Sequence, residues 1–182
     1  MNPIEIALLL ASSYYGLPTG LLHAICTVES GLNPQALHRD DGHSNSIGLC
    51  QIKLATAQWQ GYTGNEHGLY DPTTNAFYAA RYLRSLSRRY HNSPEKIIGA
   101  YNAGHYSTCG RAACNQNYIA KVFHEWRQHD VDRGDSEREK VQKAGGPEHL
   151  LDRKGHSWAQ QSCGGGPGKS PRSPHPDACG PP

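Results

Sequence analysis

Val28-Glu29-Ser30-Gly31 decides how this chain is read, because it sets one carboxylate at the end of an apolar helix, just before a glycine stop. Upstream, Leu21, Leu22, Ile25 and Val28 recur at helical spacing. Pro18 suits a first helical turn and Gly31 the position past the last. The pattern predicts a helix over 18–30, with Glu29 inside the apolar run rather than on the polar face. A half-buried carboxylate at the negative end of a helix dipole is expected to have a raised pKa. Such a group holds a proton near neutral pH and can donate it, as cleavage of a glycosidic bond requires. A solvent-facing glutamate at a helix end is the competing reading, and spacing alone leaves it open.

Outward from this helix the chain keeps a helical period. Asn2 reads as a cap and Pro3 as the first helical position, with Ile6, Leu9, Leu10 and Ser13 following, so a helix is expected over Pro3–Tyr15. Others are expected at Ala55–Trp59 and at Thr73–Tyr90, where Phe77, Ala80, Leu83, Leu86 and Tyr90 share a face. Ser93-Pro94-Glu95 opens a further helix that runs to Asn102 and stops at Gly104. A last one is expected over 117–128, with Ile119, Val122, Phe123 and Trp126 as its stripe. Clear strand alternation is absent, so the fold class is mainly α, with room for a small β-hairpin or loop region at 33–46.

Composition changes near Trp126 to Asp130. Residues 1–129 read as one domain; 130–182 read as a charged and then Gly/Pro-rich tail, largely disordered. The last 20 residues hold 5 Gly and 6 Pro, too many for a packed element. Arg138 to Val141 could still extend a helix, and Leu150, Leu151 and Trp158 could dock weakly. The net charge of +2 gives no electrostatic case for nucleic acid. No run reaches the roughly 20 apolar residues of a membrane span. Met1-Asn2-Pro3-Ile4-Glu5 lacks the basic start of an export signal, so delivery by another route is expected.

Six cysteines leave the compartment open. Cys26 and Cys50 lie in apolar runs and read as small core residues. Cys109 and Cys114 flank a loop and could close a small disulfide, with zinc binding beside His105 as the rival. The ligand set for zinc is incomplete, so neither a metal nor a cofactor is expected. Cys163 and Cys179 fall in the tail.

Four more segments bear chemistry. Gly48-Leu49-Cys50-Gln51-Ile52 sets an amide beside a glycine that allows close backbone approach. Asp71-Pro72 with Asn75 opens the long helix; Ala100-Tyr101-Asn102-Ala103-Gly104 puts a phenol and an amide at a helix end; Tyr118-Ile119 with Val122 offers a second phenol. Amides and hydroxyls in a cleft are what recognise the N-acetyl and hydroxyl groups of amino sugars. Taken singly, each could be a cap or a core residue.

In this order, together with Asn33-Pro34, Ala36, Thr56, Tyr82 and Leu83, the segments resemble the catalytic domain of the soluble lytic transglycosylases, relatives of goose-type lysozyme. The resemblance runs from about Pro3 to Arg127 and implies a lysozyme-like helical fold acting on peptidoglycan glycan strands. It implies cleavage of the MurNAc–GlcNAc β-1,4 bond, with Glu29 as sole general acid and then base and a 1,6-anhydro sugar as product. By the same resemblance Tyr101 would hydrogen-bond and orient Glu29, and Gln51 and Asn102 would contact substrate. Ser30, Ser46 and Tyr118 are further positioning or substrate-binding candidates.

Cys50 stands where the family usually has Met, Leu54 where Pro is usual, and Ala79 where Gly is common. The loop from His38 to Ser46 is longer and more polar than the common form. In that it resembles transglycosylases of conjugation machinery or phage particles. The expected place of action is therefore the bacterial periplasm and cell wall, reached in a phage particle or by another export route. The tail is then a candidate docking segment for the particle or for an envelope-spanning secretion complex. Two alternatives remain at this point. One is a hydrolysing muramidase with Asp40 or Asp41 as second carboxylate. The other is a peptidoglycan-binding assembly component without catalysis.

Overall fold

A computed structural model describes residues 2–39 and 44–143, the side chains only as far as 129. Six helices, two very small sheets and one 3-10 turn make up the described chain. Helix α1 (Pro3–Tyr15) starts as expected: the Asn2 Oδ1 accepts the Ile4 amide at 2.9 Å, and Pro3 occupies the first turn. Helix α2 (Leu21–Ser30) starts three residues later than expected, because Gly20 takes a left-handed φ of 78°. Pro18 therefore lies in a turn and not in the helix. That turn is held from outside: the Trp126 indole donates to the Thr19 carbonyl at 2.7 Å.

Helix α3 is Leu54–Trp59, and a 3-10 turn at Glu66–Tyr70 leads into α4 (Pro72–Arg89). The Asp71 carboxylate caps α4 by accepting the Thr74 amide at 2.7 Å. Helix α5 is Pro94–Ala103, closed by Gly104. Helix α6 spans Gln116–Lys143, so the boundary expected at 129/130 falls inside a helix, and the charged run after Asp130 is helical in its backbone as far as Lys143. A first compact unit spans Met1–Glu139. The tail features named above, Leu150, Leu151, Trp158, Cys163 and Cys179, lie outside the described residues, as do Asp40 and Asp41.

The core is built from Ala7, Leu8 and Ala11 of α1, the Leu21–Cys26 face of α2, and Ala76, Ala79, Ala80, Leu83 and Leu86 of α4. Ile98 and Tyr101 of α5 and Ile119 and Val122 of α6 complete it. The alanines on α4 let α1 approach it closely, and α1 packs chiefly there. The allowance for a small sheet is met by three two-residue antiparallel strands in the order β1 (Leu37–His38), β2 (Ser46–Ile47), β3 (Ile52–Lys53). Leu37 pairs with Ile47, and Ile47 with Ile52, over a second small core of Ile47, Ile52, Ala57 and Leu69. A hairpin of β4 (Thr108–Cys109) and β5 (Ala112–Ala113) turns at Gly110 and is closed by a Cys109–Cys114 disulfide. That bond consumes both thiolates which the zinc alternative required.

Candidate active site

Glu29 occupies the last full position but one of α2, half-buried, before Gly31 turns the chain at φ 63°. Its Oε1 accepts a 2.6 Å hydrogen bond from the Tyr118 hydroxyl, which reaches it from α6 across 89 residues of sequence. Burial, then the Glu29 charge and then that hydrogen bond push the Tyr118 phenol far above its ordinary value, so it remains a donor.

Tyr101 was expected in that role. It is placed differently: its buried hydroxyl donates to the Cys50 carbonyl at 2.8 Å. Burial foremost, and then the Glu29 charge, hold its proton well above the usual range. The two phenols thus divide the work. One touches the carboxylate, and the other fixes the loop beside it. Only the three-dimensional fold assigns which does which, since both motifs pair a tyrosine with a helix.

That loop, Gly48–Gln51, is tied down from three helices. Cys50 forms a disulfide with Cys26 of α2, one helical turn before Glu29. Both cysteines are fully buried, as expected of core residues, but they are bonded to each other and not free. The Cys50 amide donates to Asn75 Oδ1 of α4 at 2.8 Å, and its carbonyl takes the Tyr101 hydrogen bond from α5. Asn75, completely buried, also donates from Nδ2 to the carbonyls of Ile47 (2.8 Å) and Leu69 (2.7 Å). Gly48 lies against this amide with φ 72°, and a Cβ there would come within 2.5 Å of both Asn75 Nδ2 and the Leu69 carbonyl oxygen. Glycine is the residue that both the angle and the space admit.

The remaining candidates separate into structural and open groups. The Ser30 hydroxyl donates to the Leu49 carbonyl at 2.5 Å and accepts the Asn33 amide at 3.1 Å, a second stitch between α2 and the loop. Gln51, at φ 50°, spends its Nε2 on the carbonyls of Ala36 (3.2 Å) and Gly48 (2.9 Å), which leaves Oε1 as the uncommitted end. Asn102 is exposed, and its Oδ1 accepts from Asn115 Nδ2 at 3.0 Å. Ser46 is buried at 5% exposure in β2.

Among the described residues four other carboxylates are engaged elsewhere: Glu5 with His23 (3.1 Å), Glu66 with Asn45 (3.2 Å), Asp71 as the α4 cap and Glu95 with the Tyr106 hydroxyl (2.8 Å). Among the described residues no group of three or more His, Cys, Asp or Glu could hold a metal ion. The loop-holding role of Asn75 and the Cys26–Cys50 bond are the parts that sequence reasoning missed. For Asn75 the signal was its place three residues after Pro72 in a motif already noted.

If Tyr118 acts by holding Glu29, Tyr118→Phe should lower kcat on the order of tenfold, the worth of one hydrogen bond to a charged group. KM and the melting temperature should change little. Unchanged kcat in the folded variant would remove Tyr118 from the site.

The model of the Transglycosylase SLT domain matches residues 8–121. Protein IpgF of Shigella flexneri is 33% identical over 97 residues, which are 52% of this chain and 62% of that protein. Membrane-bound lytic murein transglycosylase C of Haemophilus influenzae (strain PittEE) is 33% identical over 108 residues, 52% of this chain and 29% of that protein. The chain thus spans under two thirds of the length of either relative. Among solved structures, lytic transglycosylase Slt of Pseudomonas aeruginosa, in an inactive mutant form, matches 82% of this chain and 26% of its own. Its TM-score is 0.59 at 18% identity. The 70 kDa soluble lytic transglycosylase of Escherichia coli matches 66% of this chain and 19% of its own, with TM-score 0.50 at 24% identity. The helical architecture is therefore that of the lytic transglycosylases, as the motif order implied, and the chain belongs to the Transglycosylase SLT domain family.

Proposed function

We propose that this protein is a peptidoglycan lytic transglycosylase in which Glu29 works as the only acid and base. The observation that carries the reading is the half-buried Glu29 held by the Tyr118 hydroxyl at 2.6 Å beside a loop pinned by three helices. Protonated Glu29 gives its proton to the glycosidic oxygen as the bond from the MurNAc C1 breaks, while the sugar's own 2-acetamido oxygen supports C1. The Glu29 carboxylate then takes the proton of the 6-hydroxyl as O6 attacks C1. A 1,6-anhydro end results and no water is consumed. Gln51 Oε1 and Asn102 are the proposed sugar contacts; Ser30 and Ser46 act through the loop and the sheet.

Two disulfides suit an oxidising compartment, which supports action in the periplasm at the cell wall. No helix among the described residues is long and apolar enough to cross a membrane. The chemistry is carried by residues 1–129, and 130–182 serve as a docking segment. Opening the wall locally for a phage particle or a secretion or conjugation machine is the role we assign, on the long polar loop from His38 to Ser46.

Mass spectrometry of muropeptides released from purified sacculi tests the reaction. Products should be 1,6-anhydro species, lighter by one water than hydrolysed ends. Reducing ends would replace this reading with a hydrolase using Asp40 or Asp41, and no release at all would favour a binding component.

A further inference from the structure

The Cys26–Cys50 bond gains its interest from what stands beside each of its ends. Cys26 lies on α2 three residues before Glu29, and Cys50 lies immediately before Gln51, one of the proposed sugar contacts. Two observations set the Cys50 loop next to the acid. The hydroxyl of Ser30, the residue after Glu29, donates to the Leu49 carbonyl at 2.5 Å. The Tyr101 hydroxyl donates to the Cys50 carbonyl at 2.8 Å, and after burial the Glu29 charge is the next influence on its proton. A covalent link one helical turn from the acid therefore sets how far Glu29 stands from Gln51.

Opening the bond would leave the fold in place. Both cysteines are fully buried in the main core, and as thiols they are still small apolar groups that suit it. The hydrogen bonds of Asn75, Tyr101 and Ser30 to the loop would remain. Spacing is what changes. Two unbonded sulfurs need more room than two bonded ones, and neither has exposed surface into which to move. The loop and α2 must then part by on the order of 1 Å. A misplacement of about 1 Å can cost about 10²-fold in rate.

We infer that the Cys26–Cys50 bond is a positioning device for Glu29 and Gln51, so that oxidation of the two thiols turns a folded but slow enzyme into a fast one. The inference rests on the lytic reading, in which Glu29 is the acid. The step is a two-electron exchange: two thiols give up two protons and two electrons to a disulfide oxidant, which leaves as its own pair of thiols. Exchange needs access to a sulfur, so this bond is shielded once it is buried. Cys109 and Cys114 are exposed by contrast, and theirs is the bond that a mild reductant should open first. Speed is then set by the redox state in which the chain folds, and is kept afterwards.

The test uses the full chain carrying Cys109→Ser, Cys114→Ser, Cys163→Ser and Cys179→Ser, so that a thiol count reports this pair alone. One portion is refolded with oxidised glutathione and one with a reductant, and muropeptide release is measured well below the melting temperature of both. The dithiol form should show two thiols, the same circular dichroism, a KM little changed and a kcat lower by about 10–100-fold. Unfolding it and refolding it with oxidised glutathione should restore the rate as the thiols disappear. A bond that only stabilised the fold would move the melting temperature and not kcat.

Equal kcat in the two forms overturns the inference. If the dithiol form does not fold at the assay temperature, Cys26→Ala with Cys50→Val takes its place, with apolar side chains and no bond. A folded, slow variant supports the inference; a fast one, or one that does not fold, overturns it. Reducing ends released faster by the disulfide form sink the lytic reading and spare the positioning role. Anhydro ends released at one rate by both forms do the reverse, and no cleavage by either form sinks both.

Discussion

Glu29→Gln should abolish digestion of sacculi while leaving a folded protein. General acid–base participation is typically worth about 10²–10⁴-fold in rate, and here one group is asked to serve in both halves of the reaction. The substitution is nearly isosteric. A glutamine Oε1 can still accept the Tyr118 hydroxyl that now reaches Glu29 at 2.6 Å, so the contact between α6 and α2 survives. The proton is what disappears, because an amide neither donates nor takes one at neutral pH. Circular dichroism and the melting temperature should match wild type, and release of soluble muropeptides should fall to background. A correctly folded Glu29→Gln protein that turns over at close to the wild-type rate would end the proposal. Loss of both fold and activity together would instead mark Glu29 as a structural residue, a result Glu29→Asp could confirm by restoring the fold.

The helices were legible because their ends are written locally. Asn2-Pro3 and Asp71-Pro72 both cap as read, and Gly16, Gly31 and Gly104 all close helices with positive φ. Local rules stop there. Helix α2 lost its expected first turn to Gly20, whose φ of 78° answers to the Thr19–Trp126 contact, more than a hundred residues distant in sequence. Strands of two residues are too short to show alternation, so the sheet over Ile47 and Ile52 could only be allowed for, not located. Helix α6 passes Asp130 because charged residues such as Glu, Lys and Arg are good helix formers even where apolar content is thin.

The site shows the same limit. The place of Glu29 at the end of an apolar helix was legible from its neighbours and its glycine, and the motifs named both tyrosines. Which phenol reaches the carboxylate depends on where α5 and α6 pack, so the assignment to Tyr101 failed in favour of Tyr118. Cys26 and Cys50 looked like ordinary small core residues because their bond joins two apolar runs 24 residues apart, with no local mark of pairing.

Asn75→Leu should be the most damaging single change away from Glu29. Leucine keeps the branching and the number of heavy atoms at this completely buried position, but its methyls cannot approach the Ile47 and Leu69 oxygens as closely as Nδ2 does, so some overpacking adds to the loss. The larger cost is in hydrogen bonding. Three backbone groups lose their side-chain partner at once: the Cys50 amide and the carbonyls of Ile47 and Leu69. Each buried group left unpaired costs about 1–3 kcal/mol, which sets the total on the order of 4 kcal/mol. In a domain of this size that is a fall of roughly 10–20 °C in melting temperature. Asn75→Asp should do no better, since its second oxygen would face two carbonyls that now accept from Nδ2. The Cys26–Cys50 bond keeps Cys50 attached to α2 in either variant, so the damage should be concentrated in the loop. Hydrogen exchange should therefore rise first at Gly48–Gln51, and kcat should fall because the surface beside Glu29 is no longer fixed. Stability within about 1 kcal/mol of wild type, with the loop still protected, would mean that the disulfide and the Tyr101 hydrogen bond hold it by themselves.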